Sequence, residues 1–225
     1  MTTTTKLSPC HDALEHLKPS WGKLHDMPVA LHFGKPELEG ERIKTLALCD
    51  ISAVPRMGLK GAGAAAWLKT QNVSVPENIY EWLPAGNGGL VARTGGSEFF
   101  IESGLDGELT PRLLANLNSK TAGVYRVVRQ DAALVLIGLN SNAVLAETCG
   151  VDFSKPQSPN SRLVFSRVAG VSCSLLPFEV HGIPAFRIWF DNSYGRYLFE
   201  TLLQIIRDLG GDVVGLEALF PGINR

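Results

Sequence analysis

The sequence has little net charge and few charged residues. Its 21 lysines and arginines nearly balance 22 aspartates and glutamates, which gives a formal net charge of −1, and charged residues make up 19% of the chain. A nearly neutral chain has no general electrostatic attraction for nucleic acid or for an anionic membrane, so we expect neither as a partner. The low charged fraction leaves room for an apolar surface that a partner protein covers.

The chain also lacks long apolar runs and paired cysteines. No run reaches the roughly 18 residues that a membrane helix needs, and the polar start Met1–Lys6 has no signal-peptide core. Cys10, Cys49, Cys149 and Cys173 are scattered without a paired spacing, which is typical of a reducing compartment. We therefore expect a cytoplasmic protein with free thiols.

Signatures of common catalytic sites are absent as well. The sequence contains no G-x-x-x-x-G-K-[ST], no G-x-S-x-G and no H-E-x-x-H. None of the five histidines stands at ligand spacing from a cysteine or a carboxylate, so we predict no metal site. Four of them precede residue 40 and the fifth is in a predicted turn: His11, His16, His25, His32 and His181.

One stretch does match a binding motif. Gly61–Ala66 satisfies G-x-G-x-x-A at the start of a predicted helix, and an acidic residue, Glu81, follows about 20 positions later. However, Pro55, Arg56 and Lys60 interrupt the preceding strand, where a dinucleotide site needs a nearly continuous apolar strand. Predicted hairpins follow instead of a β-α-β unit. We interpret the glycines as a turn that packs a helix on a sheet.

The unit around these glycines recurs further along the chain. A strand and a helix at residues 56–71 precede two strands and a helix that begins at Thr110, and a strand and a helix at residues 132–149 precede two strands and a helix that begins near Ser193. This pattern predicts an α+β fold with two pseudo-repeated β-α-β-β-α halves and mostly antiparallel sheets.

Four segments are expected along the chain. They are an N-terminal arm over residues 1–40, a first half over 41–122, a second half over 123–211 and a C-terminal tail over 212–225. In the arm we predict a helix from His11 to Leu17, followed by an irregular run. At the start of the first half, alternating apolar residues predict a strand from Glu41 to Cys49.

The arm and the tail have no evident core of their own. We therefore expect both of them to dock on a partner protein, together with the apolar residues Trp82 and Phe220. Residues 1–35 are accordingly expected to be dispensable for the stability of the fold.

Over roughly residues 45–210 the chain resembles the gamma subunit of heterotetrameric sarcosine oxidase. The resemblance rests on the order and spacing of several short stretches and not on any single diagnostic motif. They are Leu48-Cys49-Asp50-Ile51-Ser52, Pro55-Arg56, Gly58-Leu59-Lys60-Gly61, Ala65-Ala66-Trp67-Leu68, Gly88-Gly89-Leu90-Val91-Ala92-Arg93, Glu98-Phe99-Phe100-Ile101-Glu102, Ser166-Arg167-Val168-Ala169-Gly170-Val171-Ser172 and Asp191-Asn192-Ser193-Tyr194-Gly195-Arg196-Tyr197-Leu198-Phe199.

That subunit is in turn similar to the folate-binding part of the glycine-cleavage T-protein, the aminomethyltransferase. The T-protein pattern has acidic residues just after a Gly-Gly turn, one of them catalytic, whereas here Gly88-Gly89 is followed by Leu90-Val91-Ala92-Arg93. The K-G-C-Y-x-G-Q-E signature of the related folate-binding iron–sulfur maintenance proteins is also absent. Both departures from the family patterns predict that this chain has no catalytic residues.

The resemblance implies a non-catalytic gamma-type subunit of a multisubunit, flavin-dependent sarcosine oxidase. The whole enzyme would oxidatively demethylate sarcosine to glycine and peroxide and pass the one-carbon unit to tetrahydrofolate. FAD, FMN and NAD would be bound by the larger flavoprotein subunits of this hetero-oligomeric amine oxidase, and tetrahydrofolate is the one cofactor left open for this chain. An N-methylglutamate dehydrogenase would use the same kind of subunit.

Two alternatives stay open. The first is a stand-alone tetrahydrofolate-binding or aminomethyltransferase-like protein with its pocket where the two halves meet. Residues that could serve such a pocket are arginines that could face a cleft and acids that could pair with the pterin ring: Arg93, Arg187, Glu98, Glu102 and Glu179. The second alternative is an unrelated α+β interaction module.

Overall fold

The computed structural model of the chain describes residues 6–118, 121–153 and 162–223. The chain divides into two compact units, one formed by residues 54–130 and the other by residues 1–53 together with 131–225. None of the helices in the described residues is long and apolar enough to cross a membrane.

Helices and short strands alternate along the chain. In order they are α1 (His11–His16), β1 (Ser20–Leu24), β2 (Met27–His32), α2 (Pro36–Thr45), β3 (Ala47–Asp50), β4 (Arg56–Lys60), α3 (Ala64–Thr70), β5 (Trp82–Ala85), β6 (Gly89–Gly95), β7 (Glu98–Glu102), α4 (Leu109–Asn116), β8 (Tyr125–Val127), β9 (Ala132–Ile137), α5 (Ser141–Thr148), β10 (Val164–Val168), β11 (Val171–Val180), β12 (Ile183–Phe190), α6 (Gly195–Asp208), β13 (Asp212–Val213) and α7 (Leu216–Leu219).

Each unit contains one main sheet of mostly antiparallel strands. The sheet of the continuous unit has the order β5-β6-β7-β4-β8, and the sheet of the other unit has the order β10-β11-β12-β9-β3-β13. Apolar side chains on one face of each sheet pack with the helices of the same unit into separate cores. The predicted α+β class with mostly antiparallel sheets is therefore confirmed.

The predicted repeat is visible in the strand order. Reading from β5 and from β10, the first five strands of the two sheets correspond one to one, and each half has a further strand, β5 or β10, that the β-α-β-β-α pattern omits. The two halves also exchange the short strand that precedes this pattern, so that each of these strands pairs in the sheet of the other half. Strand β3 precedes β4 in the chain but pairs with β9, and β8 precedes β9 but pairs with β4.

The glycine turns of the two halves have the same geometry. Gly61 after β4 and Gly138 after β9 have φ angles of 119° and 120°. A Cβ at Gly61 would lie 2.2 Å from the carbonyl oxygen of Gly123, and one at Gly138 would lie 2.4 Å from that of Thr45. The N–H of Gly63 donates to the Gly123 carbonyl at 3.0 Å. The Gly61–Ala66 stretch is thus a packing turn covered by the chain's own backbone.

The N-terminal residues are more regular than expected. The run predicted to be irregular contains the β1–β2 hairpin and the first half of helix α2. The strand predicted from Glu41 to Cys49 is wrong for its first part, since α2 continues to Thr45 and β3 begins at Ala47. Residues of α1 and its flank, including Cys10 and Leu14, belong to the core cluster, so removal of residues 1–35 should destabilise the fold, contrary to the expectation from the sequence.

Residues 212–223 pack onto the N-terminal segment within their own unit. Strand β13 runs parallel to β3, and Leu216 and Leu219 of α7 are buried. The buried carboxylate of Glu39 accepts hydrogen bonds from the N–H of Phe33 at 2.6 Å and from the N–H of Gly215 at 2.7 Å. This carboxylate therefore holds together the hairpin, helix α2 and the start of α7.

Thr110 and Ser193, at the two predicted helix starts, do not cap their helices. Thr110 lies inside α4, and its N–H donates to the Ser103 hydroxyl at 3.0 Å. Before α6, the N–H of Ser193 donates to the Asp191 carboxylate at 2.9 Å. Leu198, Leu202 and Ile206 form a buried apolar stripe on α6, whereas Tyr197 is exposed.

Candidate functional site

A groove of about 410 Å³ lies along strands β10, β11 and β12. The strand register places Phe165, Ser174 and Trp189 side by side in one row, with Arg167 and Ser172 in the next row. Because residues paired in register point to the same face of a sheet, aromatic rings, hydroxyls and a guanidinium meet on one surface. We call this surface the β10–β12 groove. Its lining also includes Asp131, Ser166, Cys173, Phe190 and Asp191.

Two titratable groups that line the β10–β12 groove have shifted pKa values. Hydrogen bonds from the hydroxyl and the N–H of Ser193 lower the pKa of the Asp191 carboxyl, so this group is a carboxylate at neutral pH. Burial raises the pKa of the Cys173 thiol to about 12, so it is no thiolate nucleophile. Both of these groups are moved away from the neutral range in which an acid–base catalyst works.

Arg93, a predicted cleft residue, is held by the backbone around it. Its guanidinium donates to the carbonyl of Glu77 at 2.7 Å and to that of Gly96 at 2.5 Å, and it lies 5.5 Å from the centre of the Phe99 ring. These contacts join the turn between β6 and β7 to the loop that precedes β5. The side chain positions backbone, and a role in binding a ligand stays a prediction.

The remaining candidates are placed on both units. Glu98 is exposed at the start of β7, and Glu179 is exposed near the end of β11. Arg187 is half-buried on β12, with its guanidinium 4.9 Å from the centre of the Phe178 ring. Glu98, Glu179 and Arg187 are not among the residues that line the β10–β12 groove.

Glu102 is the buried acid among the candidates. Its carboxylate pairs with the Arg56 guanidinium at 3.2 Å, and the two side chains are 0% and 4% exposed. The antiparallel register of β4 and β7 places the two residues directly opposite each other. The sequence alone does not reveal this pair, because it does not show which residues of β4 and β7 lie opposite each other.

The predicted interface residues are half-buried. Trp82 begins β5 and Phe220 follows α7. Within the described ranges, no group of three or more histidine, cysteine or acidic residues could hold a metal ion. The β10–β12 groove was missed by sequence reasoning, although the alternation of Ser172 and Ser174 with buried residues was a readable signal of a polar strand face.

Thiol reactivity gives a direct check of this arrangement. Burial is the largest cause that raises the pKa values of Cys10 and Cys49, and the Cys173 pKa is raised as well, whereas Cys149 is half-exposed. We expect iodoacetamide at pH 8 to alkylate Cys149 first in the folded chain, and all four thiols after unfolding. Peptide mass spectrometry measures the order, and early labelling of Cys10 or Cys49 would contradict it.

The sequence matches no family model and no curated protein. The structure does match solved proteins. The glycine cleavage system aminomethyltransferase T from Bartonella henselae superposes with a TM-score of 0.77 at 16% identity, over 96% of this chain and 61% of that chain. The fold is T-protein-like. The chain thus spans 61% of the length of the T-protein chain that it matches.

A second solved structure also matches this chain. A chain of the heterotetrameric sarcosine oxidase from Corynebacterium sp. U-96, in complex with pyrrole 2-carboxylate, superposes with a TM-score of 0.59 at 18% identity. The match covers 79% of this chain and 96% of that chain. At these identities the likeness establishes the T-protein-like fold.

Proposed function

We propose that this chain is a non-catalytic, gamma-type subunit of a multisubunit, flavin-dependent sarcosine oxidase. The observation that carries the proposal is the strand after Gly88-Gly89. Leu90, Val91 and Ala92 are buried apolar residues, and the first charged side chain, Arg93, donates its hydrogen bonds to backbone carbonyls. A carboxylate that could act on an aminomethyl group is therefore missing from this stretch.

The extent of the structural matches supports the same proposal. The chain covers nearly all of a subunit from a heterotetrameric sarcosine oxidase but only 61% of the T-protein chain. In the proposed complex, larger flavoprotein subunits would bind FAD, FMN and NAD and oxidise the secondary amine. This chain would contribute binding surfaces, and its partner would be a hetero-oligomeric amine oxidase.

Affinity purification of the tagged chain from its native source tests the proposal. We expect a larger flavoprotein to co-purify in fixed stoichiometry and the complex to oxidise sarcosine, while the chain expressed alone shows no flavin absorbance. The matched control is the same tag on an unrelated chain. The proposal fails if the chain purifies alone from cells that oxidise sarcosine, or if the isolated chain transfers aminomethyl groups.

A stand-alone tetrahydrofolate-binding protein is the second candidate. The TM-score of 0.77 with an aminomethyltransferase over 96% of the chain favours it, as do the aromatic and hydroxyl side chains of the β10–β12 groove. Titration of the isolated chain with tetrahydrofolate, followed by tryptophan fluorescence, separates the two candidates. Saturable binding with no co-purifying flavoprotein would favour the second one.

A further inference from the structure

Strand β8 forms an edge of its sheet. Its inner side pairs with β4, through Lys60↔Tyr125, Leu59↔Arg126 and Gly58↔Val127, and the described residues place no strand on its outer side. Tyr125 is 60% exposed, and Val128, directly after the strand, is 63% exposed. An edge strand with apolar exposed residues and no proline is a template for pairing with another chain.

The other half of the molecule shows how such an edge is covered. Strand β3 is the counterpart of β8 in the repeat, and β13 pairs with its outer side in a parallel arrangement. The N–H of Asp212 donates to the Leu46 carbonyl at 3.4 Å, and the N–H of Val214 donates to the Leu48 carbonyl at 2.9 Å. Strand β8 lacks this cover in the described part of the chain.

The repeat identifies the atoms that the missing cover would use. Because Cys49 pairs with Val135 and Val127 pairs with Gly58, Leu46 corresponds to Val124 and Leu48 corresponds to Arg126. A residue's N–H and C=O point to the same side of a strand. The N–H and C=O of Arg126 therefore point away from β4, as does the carbonyl of Val124.

The opposite edge of the same sheet is protected. Strand β5 contains Pro84, which has no N–H and therefore weakens any further pairing on that side. Strand β8 has no proline, lysine or glycine. The two edges differ in the features that normally prevent unwanted pairing, so β8 is the edge left available for a partner strand.

The charge of the strand indicates what pairs with it. β8 carries one charged residue, the exposed Arg126, and no carboxylate. Two copies of β8 paired about a two-fold axis would bring like charges together, which is unfavourable. The strand that covers β3 begins with Asp212, which is paired with Arg42 at 3.2 Å and with Arg207 at 3.0 Å. Asp212 lies opposite Ala47, the counterpart of Tyr125, and not opposite Leu48, the counterpart of Arg126. An acidic residue opposite Arg126 is instead favoured by the attraction between opposite charges that are paired across strands.

We infer that the outer edge of β8 binds an extended segment of the larger partner subunit, parallel to β8, as β13 lies on β3. The segment carries an acidic residue opposite Arg126, and its backbone N–H groups donate to the carbonyls of Val124 and Arg126. This β-augmentation rests on the proposed function, because the occupant belongs to the flavoprotein that the chain accompanies.

Hydrogen–deuterium exchange on the wild-type chain, free and in the purified complex, tests the inference without a variant. The Arg126 amide should exchange at least about tenfold more slowly in the complex. The substitution Arg126→Pro removes the outward N–H but leaves the bonds to β4, and it should weaken the complex about tenfold or more. The control Arg126→Ala keeps the amide and should cost at most about fivefold.

The outcomes separate the two proposals. If a flavoprotein co-purifies but Arg126 exchange is unchanged, or if both variants bind like the wild type, the edge is not the docking site and the proposed function stands. If no flavoprotein co-purifies with the wild-type chain, the proposed function and this occupant both fail. Equal melting temperatures for the two variants would exclude misfolding as the cause of weaker binding.

Discussion

Replacing Gly215 by alanine is expected to lower the free energy of unfolding by about 3 kcal/mol. A Cβ at this position would lie 1.8 Å from the carbonyl oxygen of Leu31 and 2.1 Å from its carbonyl carbon. These are backbone atoms, so no side-chain rotation relieves the overlap. Moving residue 215 away would also break the hydrogen bond from its N–H to the buried Glu39 carboxylate.

Thermal unfolding measures the effect, which should lower the melting temperature by about 6–12 °C for a chain of this size. Gly40→Ala is the matched control. Gly40 lies within helix α2, and a Cβ there would meet no atom within 4 Å. Alanine at that position should raise stability by about 0.5–1 kcal/mol, since glycine is the poorer helix former. A stable Gly215→Ala variant would mean that the contact with Leu31 is wrong.

Breaking the buried pair of Arg56 and Glu102 is expected to cost about 3–5 kcal/mol. The two side chains are almost fully excluded from solvent, so Arg56→Met leaves a buried carboxylate without the guanidinium that faces it. Glu102→Leu leaves the guanidinium in the same position. Each single variant therefore loses the attraction between the charges but still carries the full cost of taking one charge out of water.

The double variant Arg56→Met with Glu102→Leu is the control. With both charges removed and similar volumes retained, we expect most of the lost stability to return. Denaturant unfolding of the four proteins gives the coupling energy of the pair. Additive effects of the two single changes would show that the side chains do not interact.

The sequence predicted the parts of the fold that depend on local patterns. The glycine at residue 61 predicted a turn because close backbone packing leaves no room for a Cβ, and α6 was recognised from apolar residues at helical spacing. The stretch from Pro36 to Thr45 was misread. Ile43 and Thr45 fit a strand's alternation, but the preceding Pro36, Glu37 and Glu39 are typical of a helix start, and Glu39 turned out to be buried.

The arrangement of the strands was beyond local reasoning. Strand β8 has three residues, and nothing in Tyr125-Arg126-Val127 says that it pairs with β4 and not with β9, which follows it in the chain. The β10–β12 groove was missed for the same reason, because Ser174 and Trp189 are neighbours only through the register of β11 and β12. Pairing between strands is fixed by the whole sheet and not by either sequence alone.

The exchange of first strands between the two halves has a consequence for the order in which the protein forms during synthesis. Residues 54–130 are contiguous, so the whole sheet of that unit has left the ribosome before most of the other sheet has been made. Strand β3 is made early but pairs with β9 and β13, the second of which lies more than 160 positions later in the chain. Such distant pairings form slowly. The nascent chain must therefore carry the apolar strand Ala47–Asp50 unpaired while the middle unit folds, and the first 53 residues are the part that most needs protection from aggregation in the cell.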